Sequence, residues 1–417
     1  MATKYFLGTA DAVAQVSTVQ ITADDAATTY TITIGDRTVS VAGSGTGVND
    51  TATALHAALA ASTNPYFTAI TWTVATDTVT GTAATLGVPF TASSSATGGT
   101  GTIGAVTQVT ASAGPNHWDT ADNWSDGSIP ANTDTVYIQD TNINILWGLD
   151  QNAVDLTKLI IPKSYTGKIG LDYRVFTTSG ALASDATEGE YRQTYLKIGA
   201  TDVVIGENFG QDNPAGSQRI MLDLDTTQTT VNVYGTASSS SETGRPSIRL
   251  LGTHVSNELY VRSGTGGVGV AVGEPNETAT FNLISVSDQG SSTKLRIGAG
   301  VTLTTFLQNG GINVMERSSG TLTTCTINGG TLQTEGSFVM TTTHVNGGTL
   351  ISNHTSGTVA HTTLNINDGG TVNGTSNNET RTWTTVNLDN GATLLANSDI
   401  VTITTLNEPS GQFVLGT

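Results

Sequence analysis

The sequence predicts a mainly β protein: a small amino-terminal α+β domain of ββαββ order, followed by an elongated β-solenoid, or β-helix, with coils of about 18–22 residues. Three observations carry this expectation. Thr takes 77 of the 417 places and Gly 48, against 6% aromatic and 12% charged residues, which favours strands and tight turns over helices. Short runs alternating apolar and polar residues recur along most of the chain. Near the carboxyl end, an Asn-Gly-Gly-Thr-Leu pattern returns with a spacing close to one solenoid coil.

Residues 1–112 read as the small domain. The run 16–21 alternates as a strand, and Tyr30-Thr-Ile-Thr-Ile34 and Thr38-Val-Ser-Val41 flank Gly35-Asp36-Arg37 as a hairpin. Asn49 or Asp50 is the expected cap of a helix over 51–61, with Leu55, Ala58 and Leu59 on one face. Asn64-Pro65 ends it. The runs 68–74 and 78–82 form a second strand pair, 88–92 a further strand, and glycines 98–104 a flexible exit. Residues 113–132 carry Trp118 and Trp124, six apart, and read as an aromatic plug over the first open rung of a solenoid.

Residues 133–417 read as the solenoid itself, most regular from 293 to 406. Leu159-Ile-Ile161, Ile220-Met-Leu-Asp-Leu224, Val231-Asn-Val-Tyr234 and Leu259-Tyr-Val261 are short strands between turn residues. Leu196-Lys-Ile-Gly-Ala200 returns almost unchanged as Leu295-Arg-Ile-Gly-Ala299. Asn309-Gly-Gly-Ile312, Asn328-Gly-Gly-Thr331, Asn346-Gly-Gly-Thr349, Asp368-Gly-Gly-Thr371 and Asn390-Gly-Ala-Thr393 end at spacings of 19, 18, 22 and 22. Asn-Gly also marks hairpins. Hairpins impose no constant period, whereas stacked coils do, so the solenoid is expected. One coil buries its apolar face only against neighbours, and Thr suits that stacking because its methyl packs while its hydroxyl serves the turns.

A net charge of −18, from 16 Lys+Arg and 34 Asp+Glu, leaves no basic footprint for nucleic acid and would be repelled by an anionic membrane. No apolar run is long enough to span a bilayer. Cys325 is the one cysteine and lies in an alternating run, where a small buried hydrophobe is expected rather than a reactive thiol. The amino-terminal run shows no signal peptide, although the Thr/Ser/Gly/Asn-rich, Lys-poor composition suits an exposed protein. A virus particle, assembled in the host cytoplasm and exposed afterwards, reconciles the two.

Many solenoids cleave polysaccharides, which takes two carboxylates across a groove, one with a raised pKa. Asp223 and Asp225 form the best pair, at i and i+2 on one strand face; Asp202, Glu207, Glu335, Asp368 and Asp389 lie singly, mostly at turns. No acid is flanked in sequence by the Arg, Lys and aromatic residues typical of sugar grooves. His354 and His361 could meet on adjacent coils, but no His-X-His or His-Glu-X-X-His occurs. Gly264–Gly269 is a glycine-rich turn with no phosphate-binding lysine, and Asn123-Trp-Ser125, Asn276-Glu-Thr278 and Asn353-His-Thr355 are sequons expected by chance. The reading therefore assigns no catalytic residue, no cofactor and no metal ligand, and expects a non-enzymatic protein.

Val16-Ser-Thr-Val-Gln-Ile21, the 30–41 hairpin, Thr53-Ala-Leu-His-Ala-Ala-Leu-Ala60 and Gly87-Val-Pro-Phe-Thr91 together resemble a small domain common in tailed-bacteriophage virion proteins. The His117–Ile138 stretch is similar to the start of solenoids in phage and bacterial surface proteins, and the Asn-Gly-Gly-Thr-Leu coils resemble their stalks. The resemblance implies a structural protein on the virion surface, of the capsid decoration, cement or head-fibre type. It also implies the major capsid protein or other virion proteins as partners, and it carries over no catalytic residues. A homotrimer is expected from pairing of exposed solenoid flanks. A tail fibre or tailspike that binds or depolymerises host glycans, and a bacterial surface adhesin, are the alternatives.

Overall fold

The computed structural model describes residues 2–35, 37–171, 194–206, 219–234, 248–262, 269–273, 277–287, 293–408 and 412–415. It is 52% strand and 6% helix, with a parallel β-solenoid of about 10 turns over residues 135–407. Every described solenoid ladder is parallel, which settles the choice between coils and hairpins. Each regular coil has three strand segments that stack on their counterparts above and below. One stack runs through Glu258–Val261, Thr278–Val286, Gly300–Gln308 and Thr321–Ile327. A second runs through Ile312–Met315, Thr331–Thr334, Gly348–Ile351, Gly370–Asn373 and Thr393–Ala396. The third is formed where long strands bend, so that Ala360–Ile366 and Arg381–Leu388 also pair through His361 and Trp383.

The motif threonines Thr331, Thr349, Thr371 and Thr393 lie directly above one another. Thr305, Thr324, Thr342, Thr363, Thr385 and Thr405 also stack, giving coils of 19, 18, 21, 22 and 20 residues. Earlier coils are longer: Asp202, Thr230, Glu258 and Leu283 stack at intervals of 28, 28 and 25. Within each strand alternate residues turn inward, as the two-residue pleat requires. Val136, Leu159, Val203, Val231, Leu259, Ile284, Phe306, Cys325, Thr343, Leu364, Val386 and Leu406 form one continuous inward column. Each Val, Leu or Ile withdrawn from water this way contributes about 1.5–3 kcal/mol. The near-identical Leu196 and Leu295 runs stack two residues out of step, because Leu196 aligns through Leu222, Leu250 and Val272 with Ile297.

Several local expectations change in the structure. Thr3–Tyr5 pairs with Thr135–Tyr137, so the chain begins as a rung of the solenoid sheet and the small domain lies between that strand and the cap. Periodicity over three residues is too short to betray such a strand. In the small domain, Val16–Ala23 is central to a sheet with Thr78–Ala83, Ile70–Ala75, Thr102–Ile103 and Thr107–Thr110; Thr29–Ile34 joins Arg37–Ala42 and Ala92–Thr97. The domain thus has more strands than ββαββ. The strand expected at 88–92 falls at Ala92–Thr97, and Pro65–Thr68 is a helical turn, with Pro65 at its start. The glycine-rich exit is pinned: Gly101 N–H donates to Thr28 Oγ1 at 2.8 Å, and Thr102–Ile103 adds to the sheet.

The helix spans Val48–Ala61 and buries Thr51, Ala52, Leu55 and Leu59; Ala58 is only half-buried. Neither Asn49 nor Asp50 caps it. Asp24, from the end of Val16–Ala23, accepts from Gly47 N–H at 2.9 Å and from Thr51 Oγ1 at 2.6 Å. The Thr51 hydroxyl, with Ser44 and nearby N–H groups, holds the Asp24 carboxyl below its usual range. A carboxylate at a helix start satisfies orphan N–H groups wherever in the chain it originates.

Trp118 and Trp124 close the first rung, at 4.7 Å in an edge-to-face pair, and Trp124 Nε1 donates to Trp118 O at 2.8 Å. Phe6 meets Trp124 at 5.4 Å. Buried Asn123 ties this cap together: Oδ1 accepts from Ala10 N–H at 2.9 Å, while Nδ2 donates to Gly114 O and His117 O at 2.8 and 2.7 Å. Its sequon is therefore structural. The small domain meets the cap through the Val13–Ala113 bridge and through His117 Nε2, 3.0 Å from Gly87 O.

Candidate functional site

Arg219–Asp223 ends at Asp223, whose register partners are Lys197 and Leu251 on adjacent coils. The chain then turns sharply. Asp225 takes φ 52, and its N–H donates to Asp223 Oδ1 at 3.0 Å. The expected shared strand face is thus absent, because the strand stops before Asp225; the two carboxyls are gathered by a turn instead. Lys197 Nζ approaches Asp225 Oδ1 to 3.4 Å. Two residues upstream of Lys197, Tyr195 donates its hydroxyl to Glu277 Oε2 at 2.5 Å, across 82 residues of sequence. The Arg249 guanidinium, from Ile248–Leu251, acts electrostatically on both Tyr195 and Glu277.

Burial raises the Asp223 carboxyl above its usual range; the Asp225 N–H and Lys197 oppose this, while the charges of Asp225 and Asp150 add to it. Burial likewise raises Glu277 against the opposing Tyr195 hydroxyl and Arg249 charge, with Asp223 adding repulsion. Tyr195 is raised strongly by burial and by Glu277. Two half-buried carboxyls with raised pKa stand beside a guanidinium, an ammonium and a phenol. Chemically, such a set can donate a proton, accept one and hydrogen-bond a hydroxylated ligand. Sequence reading found Asp223 but not its company. Arg249, Tyr195 and Glu277 come from distant coils, and only the coil register could have pointed to them.

The remaining candidates scatter. Asp202 is paired with Lys158 at 2.8 Å. Glu335 is half-buried, whereas Asp368 and Asp389 sit exposed at turns. Glu207 and the glycine run over 264–268 lie outside the described residues, as does Asn276. His361 is buried opposite Met340 and Trp383, with Nδ1 3.1 Å from Thr343 Oγ1; His354 sits in a turn, its N–H donating to Thr334 O. The two histidines therefore occupy different surroundings. Among the described residues, no group of three or more His, Cys, Asp or Glu is placed to hold a metal ion. Cys325 is buried in the aliphatic column, and burial pushes its thiol up to about 12. Among the described residues no helix is long and apolar enough to cross a membrane. No family model, no curated protein and no solved structure matches the chain.

Proposed function

We propose that the chain is a non-enzymatic structural rod on the surface of an assembled particle, a decoration or cement protein in which the small domain docks and the solenoid projects. The observation that supports this most is the position of the small domain. It is spliced between the first rung and the tryptophan cap, with both connections crossing side by side at Val13 and Ala113. A module fixed at two chain crossings to one end of a stiff rod is suited to anchoring it. The proposed setting is a tailed-phage virion, with the major capsid protein or another virion protein as partner and a homotrimer as the assembled form. Gold-labelled antibody against the solenoid, viewed on particles from the producing culture, tests the reading. Label spread over the shell supports it, and its absence from particles overturns it. Light scattering of the purified chain should give three times the monomer mass.

The cluster of Tyr195, Asp223, Arg249 and Glu277 favours a second reading, a tail fibre or tailspike that engages a host glycan. Label confined to the tail tip would support it. Under this reading the purified chain releases oligosaccharides from host capsule or lipopolysaccharide, and Asp223→Asn lowers the release at least about 100-fold, the scale of a lost acid–base group. Under the first reading no release occurs.

A further inference from the structure

The chain holds five Asn-Gly pairs, at Asn309, Asn328, Asn346, Asn373 and Asn390, and they differ in how the asparagine is held. Four are tied down. Asn309 Oδ1 accepts from Asn328 Nδ2 and Asn328 Oδ1 from Asn346 Nδ2, both at 2.8 Å, and Asn346 Oδ1 accepts from Asn367 Nδ2 at 2.5 Å. The glycine after Asn346 is also engaged, Gly347 N–H donating to Ile327 O at 3.3 Å. Asn373 Oδ1 accepts from Thr375 N–H at 2.9 Å and from Thr375 Oγ1 at 2.8 Å, while Gly374 N–H donates to Leu395 O at 2.8 Å.

Asn390 is placed differently. Each ladder amide directly follows the last residue of its strand, Asn328 after Ile327, Asn346 after Val345 and Asn367 after Ile366. Ile366 pairs with Leu388, so in the next coil that place falls to Asp389, whose N–H donates to Ile366 O just as Asn367 N–H donates to Val345 O. Asn390 is thereby moved one residue on, into an exposed turn. Its own N–H donates to Asp389 Oδ1 at 2.8 Å, and among the described residues its side-chain amide has no hydrogen-bond partner. Gly391 is exposed too, with φ 81, and Asp368 Oδ1 lies so close to its α-carbon that a Cβ would collide with it.

We propose that Asn390 is a site of spontaneous deamidation in the folded chain, and that the ladder and the Thr375 bonds shield the other four pairs. The step needs only water. The Gly391 backbone nitrogen, having lost its proton to solvent hydroxide, attacks Asn390 Cγ; the bond from Cγ to the amide nitrogen breaks, and ammonia leaves with a proton taken from water. Water then opens the cyclic imide at either carbonyl, giving aspartate or isoaspartate. The reaction requires a side-chain amide free to turn toward the following N–H, and a following residue without a Cβ to obstruct the approach. Both conditions hold at Asn390. At the other pairs the amide must first break its hydrogen bonds, so reaction there waits on local opening of the coil. The product sets a new carboxylate beside Asp389 and Asp368, and isoaspartate also lengthens the backbone by a methylene, so both repulsion and strain loosen this turn from the coil before it.

Peptide mapping of the full chain, held in warm and mildly alkaline buffer, tests this. In the native chain the peptide bearing Asn390 should convert at least about tenfold faster than those bearing Asn309, Asn328, Asn346 and Asn373. In chain kept unfolded in guanidinium chloride the five rates should converge, since each asparagine then simply precedes a glycine. Equal rates in the native chain would overturn the proposal. So would a lead of Asn390 that persists undiminished after unfolding, because it would belong to local sequence rather than to the fold. Asn390→Gln, whose longer side chain closes the imide ring poorly, should abolish the early acidic species on ion exchange and leave the other four rates unchanged. Survival of that species in the variant would also overturn the assignment.

Discussion

His361 is a residue whose ionisation the fold strongly constrains. Burial, helped by the Arg381 charge, pushes its pKa down to about 3 from an ordinary 6.5. Between these values the unfolded chain binds the proton and the folded chain does not, so stability rises with pH across that interval. The contribution is whole above about 6.5 and is lost as the pH falls toward 3. Its slope is at most about 1.4 kcal/mol per pH unit. Urea unfolding at pH 7 and pH 4.5 should show this loss, and His361→Leu should flatten it; an unchanged slope would mean that other groups carry the acid sensitivity. Gly348 makes a second prediction at this scale. Its φ is 73, and a Cβ there would lie 2.5 Å from Gly330 O on the coil before. The second glycine of the motif is thus required by both backbone hand and stacking, and Gly348→Ala should cost about 1–3 kcal/mol by denaturant midpoint. The Asn-Gly-Gly pattern made that glycine readable in sequence, because turn chemistry is local. Asp24, which caps a helix starting 24 residues later, was not readable, since its role depends on where a sheet delivers it.

At the scale of elements, the turns and one outer strand row are joined by asparagine ladders. Asn328 donates to Asn309 and Asn346 to Asn328, both at 2.8 Å, and Asn367 donates to Asn346 at 2.5 Å. On the strand row, Asn407 donates to Asn387 and Asn387 to Asn365, both at 2.7 Å. Each amide donates to one coil and accepts from the next, so a ladder tolerates no substitution that removes the donor. Asn346→Asp keeps the shape but sets a carboxylate oxygen beside Asn328 Oδ1. It should cost about 1–2 kcal/mol at pH 7, with part of the loss recovered below pH 4, where the protonated acid can donate again. Asn346→Ala should lose a similar amount with no such recovery. The coil period was legible from Asn309 to Thr393 because those coils repeat the same Asn/Asp-Gly turn, which the longer earlier coils lack. Tyr195 and Glu277 meet across 82 residues, a span that covers coils of 28, 28 and 25 residues, and no periodic signal marks such an encounter.

Across the whole molecule, the solenoid column from Val136 to Leu406 is held in register from the capped end. A parallel stack exposes a full set of unpaired N–H and C=O groups at any uncovered rung, and such an edge recruits other strands. Trp118, Trp124 and Phe6 prevent this at the first rung, while Lys4, buried beneath it, is held by Asp126 at 2.8 Å and by Ser128. Trp124→Ala removes the largest part of the cover together with the hydrogen bond to Trp118 O. Its direct cost should be about 3–5 kcal/mol, the range for deleting a buried aromatic side chain. The effect should reach beyond local packing, since Thr3–Tyr5 and Thr135–Tyr137 would then be exposed on their inner face. The variant should therefore melt earlier and also associate end to end, seen as a concentration-dependent rise in scattering mass that the wild-type chain does not show. Trp124→Phe, which keeps the ring contact but loses the indole donor, should show a smaller melting shift and no added association. If both variants associated equally, hydrogen bonding rather than coverage would be what closes the rod.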